Sequence, residues 1–134
     1  MGVAGIGGIF LKQNDSKRMR DWYTEVLGMT TNGYGVLFEF NGHTSPTKGY
    51  LKLGTFEADT DYFGDKSQQA MLNLRVDNLA SFQAELIAAG VTIADEIESY
   101  SYEKSLHIKG QRIELYEAVD AEFEGSPENT MSMR

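Results

Sequence analysis

The sequence predicts an α+β fold in which one strand–helix–strand–strand–strand plan occurs twice within a single domain. An apolar alternating run at residues 8–13 leads into a helical stretch that ends at Gly28, and a similar run at residues 71–76 leads into a second helical stretch that ends at Gly90. Corresponding positions lie 62 or 63 residues apart. Because this unit is longer than the usual solenoid repeats and occurs in two copies, we expect two packed modules with a cleft between them.

The first module begins with a strand over residues 8–14, whose side chains alternate between two faces. Asp15 or Ser16 is expected to cap the helix that follows, and Gly28 is placed as the residue that ends it. The apolar positions of this helix have the spacing of one buried stripe, formed by Met19, Trp22, Tyr23, Val26 and Leu27.

The remaining elements follow from turn residues and short apolar runs. In the first module, strands are predicted at residues 34–40 and 49–56, and the acidic segment at residues 57–69 should join the two modules. The second helix carries an apolar stripe of Leu79, Phe82, Leu86 and Ile87, and strands are expected after it at about residues 93–101, 105–109 and 112–118. Helices should cover one face of the sheet and leave the other face to line the cleft.

This plan predicts a single domain over residues 1–118, with module one at about residues 6–56 and module two at about residues 70–118. Residues 119–134 are polar and lack periodicity. We predict that they form a flexible C-terminal tail.

Composition narrows the classes of function. The chain has 134 residues, 41% of them hydrophobic, which suffices for one ordinary core. Its net charge of −8 argues against a general nucleic-acid binder and against adsorption to an anionic membrane. No apolar run approaches the roughly 18 residues of a membrane span. The absence of cysteine excludes disulfides, thiolate nucleophiles and Cys-ligated zinc, and a cytoplasmic location is the default expectation.

Four segments of the repeat carry a resemblance to a known family. They are GIFLKQND at residues 8–15, WYTEVLG at residues 22–28, LRVDNL at residues 74–79 running on to AAGV at residues 88–91, and RIELYE at residues 112–117. With this order and spacing the chain resembles the vicinal oxygen chelate superfamily, also called the glyoxalase/bleomycin resistance/dioxygenase superfamily. The resemblance implies paired βαβββ modules around a U-shaped cleft and, in the metal-dependent members, one divalent ion held by four side chains.

The resemblance places the four ligand positions on Gly8, Lys52, Met71 and Glu114. Glycine offers no ligand atom, lysine carries the wrong charge, and the soft thioether of methionine suits copper(I) better than zinc, nickel, manganese or iron(II). One carboxylate does not supply the three or four protein ligands that such a site usually needs. We therefore predict no metal and no other cofactor. We expect Lys52 and Glu114 to face each other and to neutralise one another where the ion would lie.

Strand alternation gives a candidate lining for the cleft: Phe10, Lys12, Lys52, Asn73, Arg75, Tyr100, His107, Glu114 and Tyr116, with Tyr102 as the alternative to Tyr100. Aromatic faces with a few convergent polar groups are typical of small-molecule sites. If Lys12, Lys52 and Arg75 converge, they favour an anionic ligand. The alternative is that Lys12 and Arg75 lie at strand ends, either solvated or paired with nearby Asp or Glu. His107 and Glu114 are candidates for acid–base catalysis, and the alternative for His107 is a hydrogen-bonded structural residue.

The sequence leaves three functions open. The first is a metal-free protein that binds a small organic molecule in the cleft, like the bleomycin-resistance members of the superfamily. The second is a metal-dependent lyase, isomerase or dioxygenase with a non-standard ligand set, for which Glu114, His107 and either Glu39 or Glu98 are available. A third is a structural dimer with an empty cleft. The resemblance also implies a homodimer, with exchange of modules between chains left open, and a small molecule is the expected partner rather than nucleic acid or membrane.

Overall fold

A computed structural model describes residues 2–41, 48–100, 103–109, 112–118 and 130–132. The elements, in chain order, are β1 (Val3–Gln13), α1 (Ser16–Leu27), β2 (Gly35–Asn41), β3 (Lys48–Glu57), β4 (Ala70–Val76), α2 (Leu79–Ala88), β5 (Glu98–Ser99), β6 (Glu103–Ile108), β7 (Ile113–Ala118) and β8 (Thr130–Ser132). Tyr102, the alternative to Tyr100, lies outside the described residues.

All eight strands belong to one sheet in the order β5-β6-β7-β4-β1-β3-β2-β8. In module one, β1 pairs with β3 in parallel, and β3 pairs with β2 in antiparallel fashion. In module two, β4 pairs in parallel with β7, which pairs with β6 in antiparallel fashion. The modules join where β1 and β4 run antiparallel at the centre of the sheet. The predicted α+β fold with two tandem modules is confirmed.

Local signals in the sequence explain where both helices begin and end. The Asp15 side chain accepts a hydrogen bond from the backbone of Arg18 at 3.0 Å, and Asn78 caps α2 in the same way. Gly28 follows α1 with a φ of 68°, in the left-handed region that glycine adopts without strain. Of the two proposed caps for α1, the structure therefore selects Asp15.

The two helices differ in how much of their apolar stripe the sheet covers. In α1 only Tyr23 of the predicted stripe is buried, whereas Trp22, Val26 and Leu27 are 45%, 60% and 55% exposed. The predicted core packing of Trp22 is therefore wrong, because the sheet covers a narrower strip of α1 than the apolar positions span. In α2, Leu79 is fully buried in a cluster with Val76, Leu106 and Leu115, against which Phe82 and Leu86 pack.

Two strands differ from the prediction. The strand expected over residues 93–101 is reduced to β5, and Ile93 makes only an isolated bridge to Ile108. Within the predicted tail, β8 pairs in parallel with β2, a strand that the sequence patterns did not indicate. Among the residues that the structure describes, neither helix is long and apolar enough to span a membrane.

Candidate functional site

The face of the sheet opposite the helices borders a cleft of about 1050 Å³, which also extends to Ser16 and Arg20 of α1. Of the residues predicted to line it, Phe10, Lys52, Tyr100 and Glu114 do so. The cleft also contains residues that the sequence patterns did not single out, including Arg20, Tyr34, Phe56, Tyr62, Glu98 and Glu103. Its wall therefore combines aromatic rings with a few charged groups, which is the usual composition of a small-molecule pocket.

One row of paired residues runs across the floor of this face. Lys52 pairs with Gly8, Gly8 with Asn73, and Asn73 with Glu114. The row continues from Glu114 to His107 across the β6–β7 ladder. Because paired residues point to the same face of a sheet, the polar side chains of β4, β6 and β7 meet on the cleft side.

Glu114 is the centre of a buried hydrogen-bond network and is only 3% exposed. Its Oε1 atom accepts a hydrogen bond from Asn73 Nδ2 at 2.7 Å. Its Oε2 atom accepts one from the Tyr62 hydroxyl at 2.5 Å and lies 3.0 Å from His107 Nε2. A buried carboxylate needs such partners, because an uncompensated charge in the interior is costly.

His107 connects Glu114 to Asp95. The Nδ1 atom of His107 lies 2.6 Å from Asp95 Oδ2, and the His107 backbone N–H donates to Asp95 Oδ1 at 2.7 Å. The imidazole thus lies between two carboxylates. Burial disfavours its charge, but the hydrogen bonds to Glu114 and Asp95 outweigh burial and raise the pKa of His107 above its ordinary value.

The same network sets the protonation of its other members. Burial opposes ionisation of Glu114, but the hydrogen bonds from His107 and Tyr62 lower its pKa below the ordinary value. Burial and the adjacent Glu114 carboxylate raise the pKa of Tyr62, so the phenol stays protonated as a donor. Nearby, burial raises the pKa of Glu103, and Glu114 and Glu98 add to the effect, while Lys52 opposes it.

The expected pairing of Lys52 with Glu114 is not what the structure shows. The Lys52 ammonium lies 3.5 Å from Glu103 Oε1 and 4.4 Å from the centroid of the Tyr116 ring. Gly8 and Asn73 stand between Lys52 and Glu114 in the row, and the carboxylate of Glu114 is already satisfied by other donors. Lys52 therefore acts on Glu114 only through its charge, which helps to lower the pKa of that carboxyl.

The three cations predicted as a possible anion site do not converge. Lys12 donates to the backbone oxygen of Lys66 at 3.0 Å, and Arg75 donates to the backbone oxygen of Tyr50 at 3.1 Å. Arg75 also lies 5.7 Å from the Tyr116 ring. Only Lys52 of the three lines the cleft, so these three side chains do not form an anion site together.

The segment between β3 and β4 covers part of the cleft face, and this is the main feature that the sequence analysis missed. Phe63 is fully buried in a cluster with Phe10 and Met71. The ring of Tyr62 stacks on Phe56 at 5.4 Å between centroids and meets His107 edge-on at 5.0 Å. The available signal was an aromatic pair, Tyr62-Phe63, within an otherwise acidic connecting segment.

Strand register corrects one of the four family positions. In module two, Glu114 pairs with Asn73, which lies two residues after Met71 on β4. In module one, the residue two positions after Gly8 is Phe10, and Phe10 pairs with Gly54, whereas Lys52 pairs with Gly8 itself. The same offset therefore leads from Gly8 to Gly54 rather than to Lys52. By the symmetry of the two modules, we therefore expect the four positions to be Gly8, Gly54, Met71 and Glu114.

This set does not fit a divalent metal ion. Two glycines and a buried thioether leave Glu114 as the single hard ligand. The alternative set is not assembled either: both ring nitrogens of His107 are engaged by carboxylates, and Glu98 accepts a hydrogen bond from Tyr100. Within the described part of the chain, no three His, Asp or Glu side chains are grouped so that they could share an ion.

Paired βαβββ modules around one cleft define the class of protein to which this chain belongs. The sequence profile of the Glyoxalase/Bleomycin resistance protein/Dioxygenase superfamily matches residues 5–121, and the chain is a member of that superfamily. No curated protein matches the sequence.

Solved structures share the fold at low sequence identity. A variant of Streptomyces coelicolor methylmalonyl-CoA epimerase in complex with 2-nitronate-propionyl-CoA gives a TM-score of 0.63 at 14% identity, over 88% of this chain and 99% of that chain. Methylmalonyl-CoA epimerase from Mycobacterium tuberculosis gives a TM-score of 0.57 at 19% identity, over 87% of this chain and 89% of that chain. At these identities the similarity shows the fold alone.

Proposed function

We propose that this protein binds a small organic molecule in the cleft between its modules and does so without a metal ion. The observation that carries the proposal is the combination of a roomy aromatic cleft with a set of family positions that cannot hold a divalent ion. The structural neighbours that were solved with CoA esters bind small molecules on the same fold, which supports a ligand in this cleft.

The lining indicates what kind of contacts the ligand would make. Tyr34 and Tyr100 are exposed, and Tyr62 is stacked on Phe56, so aromatic surface is available on several sides. Lys52 with Glu103, and Arg20 with Thr55, provide polar groups at separate points of the wall. Such a site favours a molecule with an apolar body and a few hydrogen-bonding groups.

The test is a ligand screen in the presence and absence of chelator. We expect individual organic compounds to raise the melting temperature equally with and without EDTA, because binding stabilises the folded state by mass action. Tyr62→Ala should weaken binding of a hit at least tenfold, while Glu25→Gln, on the exposed side of α1, should leave it unchanged. Hits that lose their effect in EDTA would contradict the proposal.

A second candidate function is acid–base catalysis, which the Asp95–His107–Glu114 chain favours. This chain connects a partly exposed carboxylate to a carboxylate on the cleft wall, and proton transfer requires such hydrogen-bonded groups. The test is incorporation of deuterium from D₂O into CoA thioesters, followed by NMR. Deuterium exchange that is lost in the Glu114→Gln variant would favour catalysis. If no thioester of the panel exchanges deuterium, binding remains the proposed function.

Assembly as a homodimer belongs to the same proposal. Trp22, Val26 and Leu27 on α1 and Ile87 on α2 are exposed apolar side chains, which a second copy of the chain would cover. Light scattering at tens of micromolar should give twice the monomer mass, and Val26→Glu should reduce it to that of the monomer. A monomeric wild-type protein would contradict this part. A cytoplasmic location, which accords with the lack of cysteine, is also part of the proposal.

A further inference from the structure

The four family positions are each contacted by the protein's own aromatic side chains. A side chain at Gly8 would place its Cβ 3.0 Å from the Phe10 ring, and one at Gly54 would place its Cβ 2.8 Å from the same ring. Phe10 therefore covers both positions of module one. The Phe10 ring fits against both positions because glycine has no side chain there.

The two positions of module two are covered by the segment that joins the modules. Met71 is buried in the cluster that contains Phe10 and Phe63, and Phe63 is fully buried there. Glu114 accepts a hydrogen bond from the hydroxyl of Tyr62, the residue next to Phe63. The ring of Phe56, on β3, packs against the same cluster, with its centroid 5.2 Å from the centroid of the Phe63 ring.

We propose that Phe10, Tyr62 and Phe63 are a built-in occupant of the position at which metal-dependent members of the superfamily hold their ion. Phe10 and Phe63 fill the volume, and the Tyr62 hydroxyl provides Glu114 with a donor in place of a cation. The exposed edge of Tyr62 then forms the floor of the cleft, which makes it a ligand-contacting residue. This inference rests on the metal-free part of the proposed function.

The segment that carries Tyr62 and Phe63 is fixed from both sides, as a permanent occupant requires. Gln68 Nε2 donates to the backbone oxygen of Arg112 at 2.9 Å, and the Arg112 backbone N–H donates to Gln68 Oε1 at 2.9 Å. Lys12 binds the Lys66 backbone oxygen, and its ammonium lies 5.3 Å from the centroid of the Phe63 ring. These contacts tie the segment to β1 and to the start of β7.

The decisive experiment rebuilds ligands at the proposed position with and without the occupant. Gly8→His with Met71→His adds two imidazoles beside the native Glu114, and the pair is made in the native background and in a background that carries Phe10→Ala and Phe63→Ala. Thermal shift with nickel alone should be at least 5 °C larger in the Phe10→Ala/Phe63→Ala background, because only there is space left for the ion. An equal response of the two backgrounds to nickel would overturn the proposal.

A second measurement keeps the proposal testable if the rebuilt variants fail to fold. Phe63→Leu, which keeps most of the volume, should lose less than half of the melting temperature lost by Phe63→Ala, and Tyr34→Ala should lose almost none because Tyr34 is exposed. Equal losses for Phe63→Ala and Tyr34→Ala would overturn the proposal. A failed ligand screen would contradict the proposed ligand binding but not the proposed aromatic occupant. Stoichiometric metal in the wild-type protein would contradict both.

Discussion

The two modules share one topology but differ in their cores and in the residues that they place on the cleft face. Module two has a closed helix-side core around Leu79 and Leu106 and carries the polar network of Asn73, His107 and Glu114. Module one leaves much of α1 uncovered and pairs Phe10 with Gly54 where module two pairs Asn73 with Glu114. A duplicated fold therefore need not duplicate its site: one module holds the charged groups, and the other gives room for aromatic packing.

The largest predicted loss of stability comes from the difference in burial between the helix side of module two and that of module one. Leu106→Ala in module two should cost about 2–5 kcal/mol of unfolding free energy, because the side chain is fully buried. Leu27→Ala in module one should cost the monomer about 0.5 kcal/mol or less, because that leucine is exposed within a single chain. Urea unfolding of both variants at low protein concentration checks the pair. A further cost of Leu27→Ala that grows with protein concentration would be the contribution of the proposed dimer contact.

The next largest effect concerns the buried carboxylate of Glu114. Glu114→Gln should cost about 3 kcal/mol, since it removes one of the two carboxylates that flank the buried His107 and the charged acceptor of the Tyr62 hydroxyl. Glu25→Gln in module one changes a carboxylate on the exposed side of α1, outside this network, and it should cost far less. Denaturant unfolding of the two variants makes the comparison. Equal costs would show that the network contributes no more than an ordinary surface carboxylate.

Removing a single hydroxyl should have a smaller effect. Tyr62→Phe deletes the donor to Glu114 but keeps the ring stacked on Phe56, so about 1–2 kcal/mol should be lost. Tyr100→Phe, which removes a hydroxyl bonded to the exposed Glu98, should be nearly neutral. Thermal unfolding of both variants measures this difference. A neutral Tyr62→Phe would mean that Glu114 does not need this donor.

The dependence of stability on pH follows from the same groups. His107 has a raised pKa in the folded state, so its contribution is complete below its ordinary pKa of 6.5 and is lost as pH rises through the folded pKa. Glu114 has a lowered pKa in the folded state, so its contribution is complete above its ordinary pKa of 4.5 and is lost as pH falls through the folded pKa. For these two groups, stability should therefore be highest between about pH 4.5 and 6.5.

A pair of histidine variants isolates this dependence. His107→Gln should flatten the loss of unfolding free energy above pH 6.5, whereas His43→Gln, which changes the only other histidine, should retain it. Chemical unfolding from pH 5 to 9 gives the profile. An unchanged profile for His107→Gln would contradict the assignment of the imidazole to the two carboxylates.

The parts of the structure that follow from local patterns were predictable. Strand alternation and the capping residues Asp15 and Gly28 located the elements of both modules, and the repeat gave their arrangement. The exposure of Trp22 was not predictable, because periodicity identifies an apolar face but not how much of it another element covers.

The site was predictable only where it lies on strands. Glu114 and His107 follow from alternation along β6 and β7. Tyr62 and Phe63 do not, because they reach the site from a connecting segment through contacts between residues about fifty positions apart, for which no local pattern exists. Asp95 likewise meets His107 across a stretch with almost no regular strand.

The most direct test of the central claim is the metal content of the wild-type protein, purified without chelator and titrated with nickel, zinc, manganese and iron(II) during thermal unfolding. With aromatic side chains in the family's metal position, the account predicts far less than one equivalent of any metal and no thermal shift at micromolar ion. A near-stoichiometric metal, or a large shift with one of these ions, would contradict it.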